Sequence, residues 1–423
     1  MSAAHSLEIP GSRTSFEALP GGGYAYVLLD ENVRVELRYL RREHGHLHAE
    51  VDVRCTWSGV THHRGSLSCA DQNLSSLTAR KTLAKHCADR AKTKPADFDW
   101  QAAIDAACLE TIAAERAGAD VVVLDDAPDV TEYDIDVGGL RIPGDAASML
   151  IAHGDSLKSM LLMYVLGSLA SSGRRVLYLD WEWTAERHKG RKRRLFGEDR
   201  LEGLRYLRCR APLVIEVDRI RRYCDEHRIE FIGVDSVGLA CDGKLADDDT
   251  AIRFHRALGS LPPALCAAHV PKSSLAPEAS KSDPIGPFGS VFFSNLCRMS
   301  WVVRKQPGAN ADIATIGCFP QKQNDGARCK PVGLEFDFRG QSIAVRHVDL
   351  ATVEGLAERL PLAARVAGLL KGGALTYAQI AEELGAKPDT VVKATKRRPD
   401  LFTVMTGTPD GIHRVGLVVR GAA

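Results

Sequence analysis

The spacing of apolar and polar residues divides the chain into three regions. From Tyr24 to Trp57 apolar and polar positions alternate, which predicts antiparallel strands with one face towards solvent. Two helical patterns follow, LSSLTARKTLAKHCADRA after a Ser cap and WQAAIDAACLETIAAERAG ending at a Gly. We therefore predict a small N-terminal α+β domain over 1–120 and, over 121–145, an acidic linker strap broken by Pro and Gly.

The second region alternates short apolar runs with longer helical ones. Strands are predicted at SMLIAHG, VLYLD, IEFIGVD and ALCAAHV, with helices between them. Such βαβ units build an α/β core, a mainly parallel sheet with helices on both faces, which we assign to 146–350. Three further apolar runs, MSWVVRK, DIATIGCF and VGLEFDF, are expected to extend this sheet as antiparallel strands.

The third region, 351–423, has the pattern of a winged helix-turn-helix. LAERLPLAARVAGLLK, LTYAQIAEELG and KPDTVVKATKRRP are predicted helices, and LFTVMTGTPDGIHRVGLVV is predicted to form a hairpin around a Pro-Asp-Gly turn. The helix before the hairpin would enter a DNA major groove, with Arg414 on the wing touching the backbone. Contact with another protein is the alternative use of such a module. The residues on the groove-facing side would be Lys387, Thr390, Lys393, Lys396 and Arg397.

Composition and charge narrow the function classes. Hydrophobic residues make up 45% of the chain and charged residues 26%, which is ordinary for a globular protein. The net charge of +1 creates no global attraction to nucleic acid or membrane, so any DNA-binding surface must be local. The basic run from Arg187 to Arg194 is either such a surface or a solvated helix face. A polar N-terminal segment, no membrane-length apolar stretch and 11 cysteines without a CxxC pair predict a cytoplasmic protein with no membrane span.

The segment from Met149 to Ser159 has the context of a phosphate loop. Such a loop needs a strand, a tight turn and a helix N-terminus whose free N–H groups face the anion. Lys158 and Ser159 stand where GxxxxGK[ST] places a phosphate-binding lysine and a magnesium-binding hydroxyl. Ala152 and Leu157 replace the two glycines of that motif. Alone, the segment also fits an ordinary strand-turn-helix with a surface lysine.

Two other strands end in carboxylates that such a site requires. FIGVD ends at Asp235, as a Walker B strand does, where the carboxylate holds the magnesium shell. VLYLD is followed by Glu182, which is suited to orient and deprotonate an attacking water. Each carboxylate alone is common at a strand end. Their joint occurrence with Lys158, in this order and in these elements, is much less common.

These residues resemble the RecA-like branch of P-loop NTPases, and within it the RepA-type hexameric helicases and related phage and plasmid AAA-family ATPases. The resemblance covers roughly Ala147 to Arg339. It implies that ATP and Mg²⁺ bind, that Glu182 is the catalytic base, and that Ser159 and Asp235 serve the metal. The implied phosphate-loop residues are Gly154, Asp155, Ser156, Leu157, Lys158 and Ser159.

The resemblance implies three further basic residues near nucleotide. His269, in a His-x-x-Lys segment with Lys272, would sense the γ-phosphate. Arg298 would reach the nucleotide of a neighbouring subunit, and Lys322 would lie near the nucleotide. The alternatives are a core histidine for His269 and a solvated edge charge for Arg298.

These observations predict an ATPase that acts on single- or double-stranded DNA. By resemblance it is a homo-oligomer such as a hexamer, a helicase-like or translocase protein of a phage or mobile element that works beside replication or recombination proteins. A nucleotide-gated DNA-binding regulator with little turnover is the main alternative, favoured by Ala152 and Leu157. A helicase loader or mediator, docking its partner through the N-terminal domain, is a third hypothesis. The presence of Glu182 favours the ATPase, because a binding-only protein has little use for a catalytic base.

Overall fold

The computed structural model divides the chain into two units, Met1–Thr131 with Val217–Arg228, and Glu132–Glu216 with Ile229–Ala423. The predicted Lys272 and the Pro-Asp-Gly turn at 409–411 lie outside the residues it describes. Among the residues that are described, no helix is long and apolar enough to cross a membrane. The described residues are 13–19, 22–57, 60, 63, 65–91, 98–118, 121–127, 129, 134–270, 287–307, 312–324, 326, 329–406 and 412–418.

The first unit contains an antiparallel sheet whose five strands follow one another in chain order. In β4 nearly every second side chain is buried, because one face of the sheet packs into an apolar core with both helices. The alternating pattern over 24–57 does not reach β1 or β5, whose polar sequences hide their strand character. The elements are β1 (Thr14–Ala18), β2 (Tyr24–Leu28), β3 (Val33–Glu43), β4 (His46–Cys55), β5 (Ser66–Asn73), α1 (Leu77–Arg90) and α2 (Trp100–Ala117).

The second unit is built on a nine-stranded sheet. The central strands are buried on both faces, which is why they are continuous apolar runs in the sequence. The strands in spatial order are β10 (Leu204–Arg208), β9 (Val176–Asp180), β11 (Phe231–Asp235), β12 (Ala264–His269), β8 (Ala147–Ala152), β13 (Met299–Lys305), β14 (Ile313–Gln323), β15 (Val332–Asp337) and β16 (Ala344–Val348).

The first six strands in that order are parallel, and β14 to β16 are antiparallel. The mainly parallel sheet is therefore confirmed, and it fits a RecA-like core. The expectation that MSWVVRK joins as an antiparallel strand is wrong: β13 pairs parallel with β8. The long connection between β12 and β13 allows the chain to return and run in the same direction.

Helices flank this sheet. The helix α3 follows β8 directly and packs on the sheet through a run of buried leucines. The strand β10, which the sequence pattern does not predict, lies beyond β9 at the sheet edge. The helices are α3 (Lys158–Ser171), α4 (Ala185–Phe196), α5 (Leu213–His227, with residues in both units), α6 (Val237–Ala240), α7 (Asp248–Leu258) and α8 (Phe292–Leu296).

Two smaller groups of elements complete the second unit. Part of the predicted strap forms a hairpin, β6 (Asp134–Val137) and β7 (Leu140–Pro143), whose apolar side chains join the core under α3. The C-terminal elements share a separate apolar core. They are α9 (Leu362–Leu369), α10 (Tyr377–Glu383), α11 (Pro388–Lys396), β17 (Phe402–Met405) and β18 (Arg414–Leu417).

Candidate active site

The loop between β8 and α3 has an unusual backbone for its sequence. Asp155 and Leu157 both adopt left-handed conformations, with φ of 62° and 59°, whereas Gly154 has no positive φ. A non-glycine residue in this region costs roughly 1–2 kcal/mol, and such strain is characteristic of functional loops. Leu157 occupies the N-cap of α3 without a side-chain cap, so the N-cap side chain satisfies none of the first N–H groups of the helix.

Lys158 extends its ammonium group into the site rather than into solvent. The residue is only 8% exposed, and its Nζ lies 3.3 Å from Nδ1 of His269. Burial lowers the pKa of Lys158, while the carboxylates of Asp235 and Glu182 act to raise it. The pKa of His269 is lowered as well, first by burial and then by the Lys158 charge. The structure thus brings together four of the predicted site residues.

Asp235 lies at the end of β11 and is completely buried. Its Oδ2 accepts a hydrogen bond of 2.7 Å from the Tyr178 hydroxyl. Its Oδ1 is buried and accepts no hydrogen bond of normal geometry from the described residues. Burial raises the pKa of this carboxyl, against the lowering effect of the hydroxyls of Tyr178 and Ser159. An orphaned carboxylate oxygen beside a serine hydroxyl is the donor set that a Mg²⁺–nucleotide complex uses, so these residues fit the metal.

No cluster of three or more His, Cys, Asp or Glu side chains able to hold a metal occurs among the described residues. This agrees with the chemistry of Mg²⁺, which is held by few protein groups together with phosphates and water.

Asp180, at the end of β9, organises the turn that carries Glu182. The buried carboxylate accepts hydrogen bonds from the backbone N–H groups of Glu182 (2.8 Å) and Trp183 (3.0 Å). Tyr206 Oη (2.9 Å) and His188 Nε2 (3.1 Å) also contact it. Burial alone would raise the pKa of Asp180, but these hydrogen bonds outweigh it and lower the pKa to about 2. Asp180 is therefore an ionised structural centre.

Glu182 is the exposed carboxylate of this turn. Its Oε1 accepts a 2.6 Å hydrogen bond from the hydroxyl of Ser236, the residue that follows Asp235. The two carboxylates after β9 therefore have separate environments: the first is enclosed and the second faces the opening of the site. A carboxylate held from one side and open on the other can orient and deprotonate a water molecule.

Parallel pairing explains why these residues meet. Asp235 is in register with Asp180, and His269 is in register with Ala152 at the start of the loop. The carboxyl ends of parallel strands lie at one edge of a sheet, which is where ligands bind in open α/β folds.

The loop also contacts two basic residues that the sequence analysis does not single out. Lys305, the last residue of β13, forms an ion pair of 3.6 Å with the exposed Asp155. Burial, and next the Arg304 charge, lower the pKa of His153 in the same loop. The available signal is the RK pair that ends the strand next to β8, but recognising it requires the knowledge that β13 lies beside β8.

Arg298 and Lys322 lie at the other edge of the sheet. Arg298 is exposed, and its backbone N–H bonds to the carbonyl of Ala147, the first residue of β8. Lys322 Nζ donates to the carbonyls of Ser294, Asn295 and Cys297 at 3.0, 2.7 and 2.7 Å. The structure therefore does not bring either residue to the phosphate loop of its own chain.

The residues predicted to contact DNA lie on α11 and β18. Lys387, Thr390, Lys393, Lys396 and Arg397 are all exposed, whereas Val391 and Thr395 on the opposite side of the helix are buried. Arg414 begins β18 and is partly exposed.

Comparisons with known proteins give similarities of fold. No family model matches the chain, and no curated protein matches it. The solved ATPase domain of a DnaB-like helicase has a TM-score of 0.38 and 10% identity, covering 48% of this chain and 84% of that chain. The flagellar accessory protein FlaH from Methanocaldococcus jannaschii has a TM-score of 0.37 and 15% identity, covering 51% of this chain and 98% of that chain. At these TM-scores the similarities carry no argument about function, which must come from the site itself.

Proposed function

We propose that this chain is an ATPase that binds Mg²⁺–ATP at the carboxyl edge of the parallel strands and hydrolyses it. The observation that carries the proposal is the convergence of Lys158, Asp235, Glu182 and His269 beside the loop between β8 and α3. Burial holds the ammonium of Lys158 next to two carboxylates and a histidine. A lysine stripped of water in this way gains most from an anionic ligand that replaces its lost hydration.

Each group has a role that follows from its position. The free N–H groups at the start of α3 and the Lys158 ammonium would bind the phosphates. Ser159 and Asp235 would hold Mg²⁺, which when bound neutralises charge on the phosphate oxygens. Glu182 would orient water and accept its proton, with Ser236 fixing one carboxylate oxygen. His269, next to the Lys158 ammonium, is placed to respond to the terminal phosphate.

The position of Arg298 supports action between subunits. An exposed arginine at the amino edge of the sheet cannot serve the nucleotide at the carboxyl edge of the same chain, but it can serve a neighbouring copy. We propose that the protein forms a homo-oligomer, in which Arg298 offsets charge that develops on the neighbour's nucleotide. Lys322 would take part by holding the carbonyl groups at the end of α8, the helix that leads into Arg298.

Action on DNA is supported by the C-terminal elements. The exposed basic face of α11, with a two-stranded sheet after it, fits a winged helix that contacts DNA phosphates and base edges. The helix α4 offers a second basic surface, where Arg187 stacks over the Trp183 ring at 4.0 Å. We propose a helicase-like or translocase role in which hydrolysis depends on DNA.

Steady-state ATP hydrolysis with and without single-stranded DNA tests the proposal. The wild type should show DNA-stimulated turnover. Glu182→Gln should lower the rate by about 10²- to 10⁴-fold while ATP binding is retained, because proton acceptance is lost and charge is removed. Glu186→Gln, an exposed glutamate on the neighbouring helix, is the matched control and should have near wild-type turnover.

A nucleotide-gated DNA-binding regulator is the second candidate. The observation that favours it is the strained loop, in which Leu157 and Asp155 occupy left-handed positions and Asp155 brings a negative charge near the phosphates. Tight ATP binding with no turnover in either wild type or Glu182→Gln would exclude the motor and favour the regulator. Turnover stimulated only by a partner protein would favour the loader.

A further inference from the structure

A cavity of about 310 Å³ lies outside the candidate active site, between α4, β10 and α3. Apolar side chains form most of its wall, including Met163 on α3 and Leu201 and Leu204 around the start of β10. This volume is at the lower end of the range for small-molecule sites, which combine apolar walls with a few placed polar groups.

The polar groups of the cavity are mostly basic. Two of the cations already have partners: Lys192 donates to backbone carbonyls, and Arg193 pairs with Glu198 at 2.9 Å. Arg205 differs, because its Nε is buried and has no hydrogen-bond partner among the described residues. Lys189 is exposed at the same cavity. The unsatisfied positive charge therefore gathers where the apolar wall ends.

His188 adds a second unsatisfied group. The residue is 3% exposed and lines the cavity, and its Nε2 bonds to the carboxylate of Asp180. An ionised carboxylate can only accept, so Nε2 carries a proton and Nδ1 remains for another partner. Nδ1 is buried and has no partner among the described residues. A buried polar atom without a partner costs about 1–3 kcal/mol, and a ligand that supplied one would recover that energy.

We propose that this cavity binds a small organic anion, whose apolar body packs against Met163 and Leu204 and whose acid group meets Arg205 and Lys189. Apolar walls and unpaired cationic groups together select this class: a bare inorganic anion leaves the wall exposed, and a neutral apolar compound leaves the guanidinium unpaired. His188 connects the cavity to the turn that carries Glu182, because Asp180 binds both.

Isothermal titration calorimetry with phenyl phosphate tests the site directly. The wild type should bind one molecule per chain in this cavity at physiological ionic strength, where exposed charges are screened beyond about 8 Å. Inorganic phosphate and benzyl alcohol should each bind the cavity more weakly, because each carries half of the recognised chemistry.

Two variants should weaken the binding by different routes. Arg205→Gln should reduce affinity by at least about tenfold, the loss expected for one charge-assisted hydrogen bond. Leu204→Trp should abolish binding by filling the cavity. Circular dichroism and thermal melting will show that both variants are folded.

Two controls separate this site from other anion-binding surfaces. Arg256→Gln removes an exposed arginine on α7 and should leave affinity unchanged. Lys158→Ala removes the ammonium of the phosphate loop and should also leave it unchanged, so the result is independent of whether the chain hydrolyses ATP. The proposal is overturned if wild type shows no saturable binding, or if Arg205→Gln and Leu204→Trp bind as wild type does while Lys158→Ala loses binding.

Discussion

The ends of β9 and β11 lie side by side in the sheet and treat their aspartates in opposite ways. Asp180 and Asp235 are partners in register, and both are completely buried. Four donors surround Asp180, and the pKa of its carboxyl falls to about 2. Asp235 has an oxygen without a hydrogen bond of normal geometry, and burial raises its pKa. One carboxylate is complete within the protein, and the other lacks a cationic partner.

The difference separates a structural role from a ligand-binding one. A buried charge whose hydrogen bonds are all made holds its surroundings in one geometry. A buried charge with an open oxygen destabilises the protein alone and gains from a cation. The same residue type at equivalent strand positions therefore has two functions, and its donors decide which. The following predictions test that contrast, from the largest expected effect to the smallest.

Asp235→Asn should lower ATP hydrolysis by about a thousandfold, because the loss of a metal-holding carboxylate removes several kcal/mol of transition-state stabilisation. Its thermal midpoint should stay the same or rise, because a buried carboxyl with a raised pKa is replaced by a neutral group. Hydrolysis assays over a magnesium titration, with melting curves, measure both. A variant that melts at a clearly lower temperature would contradict the assignment of Asp235 as the unsatisfied partner.

Asp180→Asn should reduce the free energy of unfolding by about 3 kcal/mol, because the amide places a donor among four donors and leaves some unpaired. Urea unfolding measures the change, and Asp249→Asn on the exposed start of α7 is the matched control. Equal stability of Asp180→Asn and Asp249→Asn would exclude Asp180 as a structural centre.

The pH dependence of stability should also show the contrast. The folded pKa of Asp180, about 2, is below its usual value of 3.8, so its stabilisation is complete above that usual value and is lost as pH falls towards 2. Between pH 7 and pH 3 this group should contribute a loss of about 1 kcal/mol. Urea unfolding of Asp180→Asn should lack this component. Asp235 has the opposite sign: its raised pKa means that its destabilisation is relieved as pH falls through the folded value.

Leu157→Gly should have the smallest effect. Glycine removes about 1 kcal/mol of left-handed backbone strain, but it also removes the contacts that Leu157 makes with the core. We expect little change in stability and an increase in ATP affinity of about fivefold, because N–H groups could approach the phosphates more closely. Leu157→Ala is the control, since it removes the side chain without freeing the backbone. An equal gain in affinity from Leu157→Ala would attribute the effect to crowding.

Strand-end chemistry is the part of the site that the sequence predicts best. Lys158, Glu182 and Asp235 can be chosen because each follows a continuous apolar run, and parallel strands bring their carboxyl ends together. Their catalytic roles stay predictions until they are measured. Asp180 and Glu182 cannot be distinguished in the sequence, because the donors His188 and Tyr206 reach Asp180 only through tertiary packing.

The sheet edge is less predictable. The strand β10 reads LRYLR and has no fully buried residue, so its pattern lacks the apolar run that identifies the central strands. The cavity depends on β10 and is missed with it. The direction of β13 is also missed, because an apolar run shows that a strand is buried but not which way it points.

The place of β8 in the sheet has a consequence for how the chain folds. Both neighbours of β8, β12 and β13, come later in the chain, more than a hundred residues away; Ser148, for example, pairs with Leu265. Contacts of such long range slow folding, and a nascent chain that stops before β12 has β8 with both edges unpaired. During synthesis the phosphate loop is therefore among the first elements of this unit to be made and among the last to be assembled, and truncated chains should aggregate through β8.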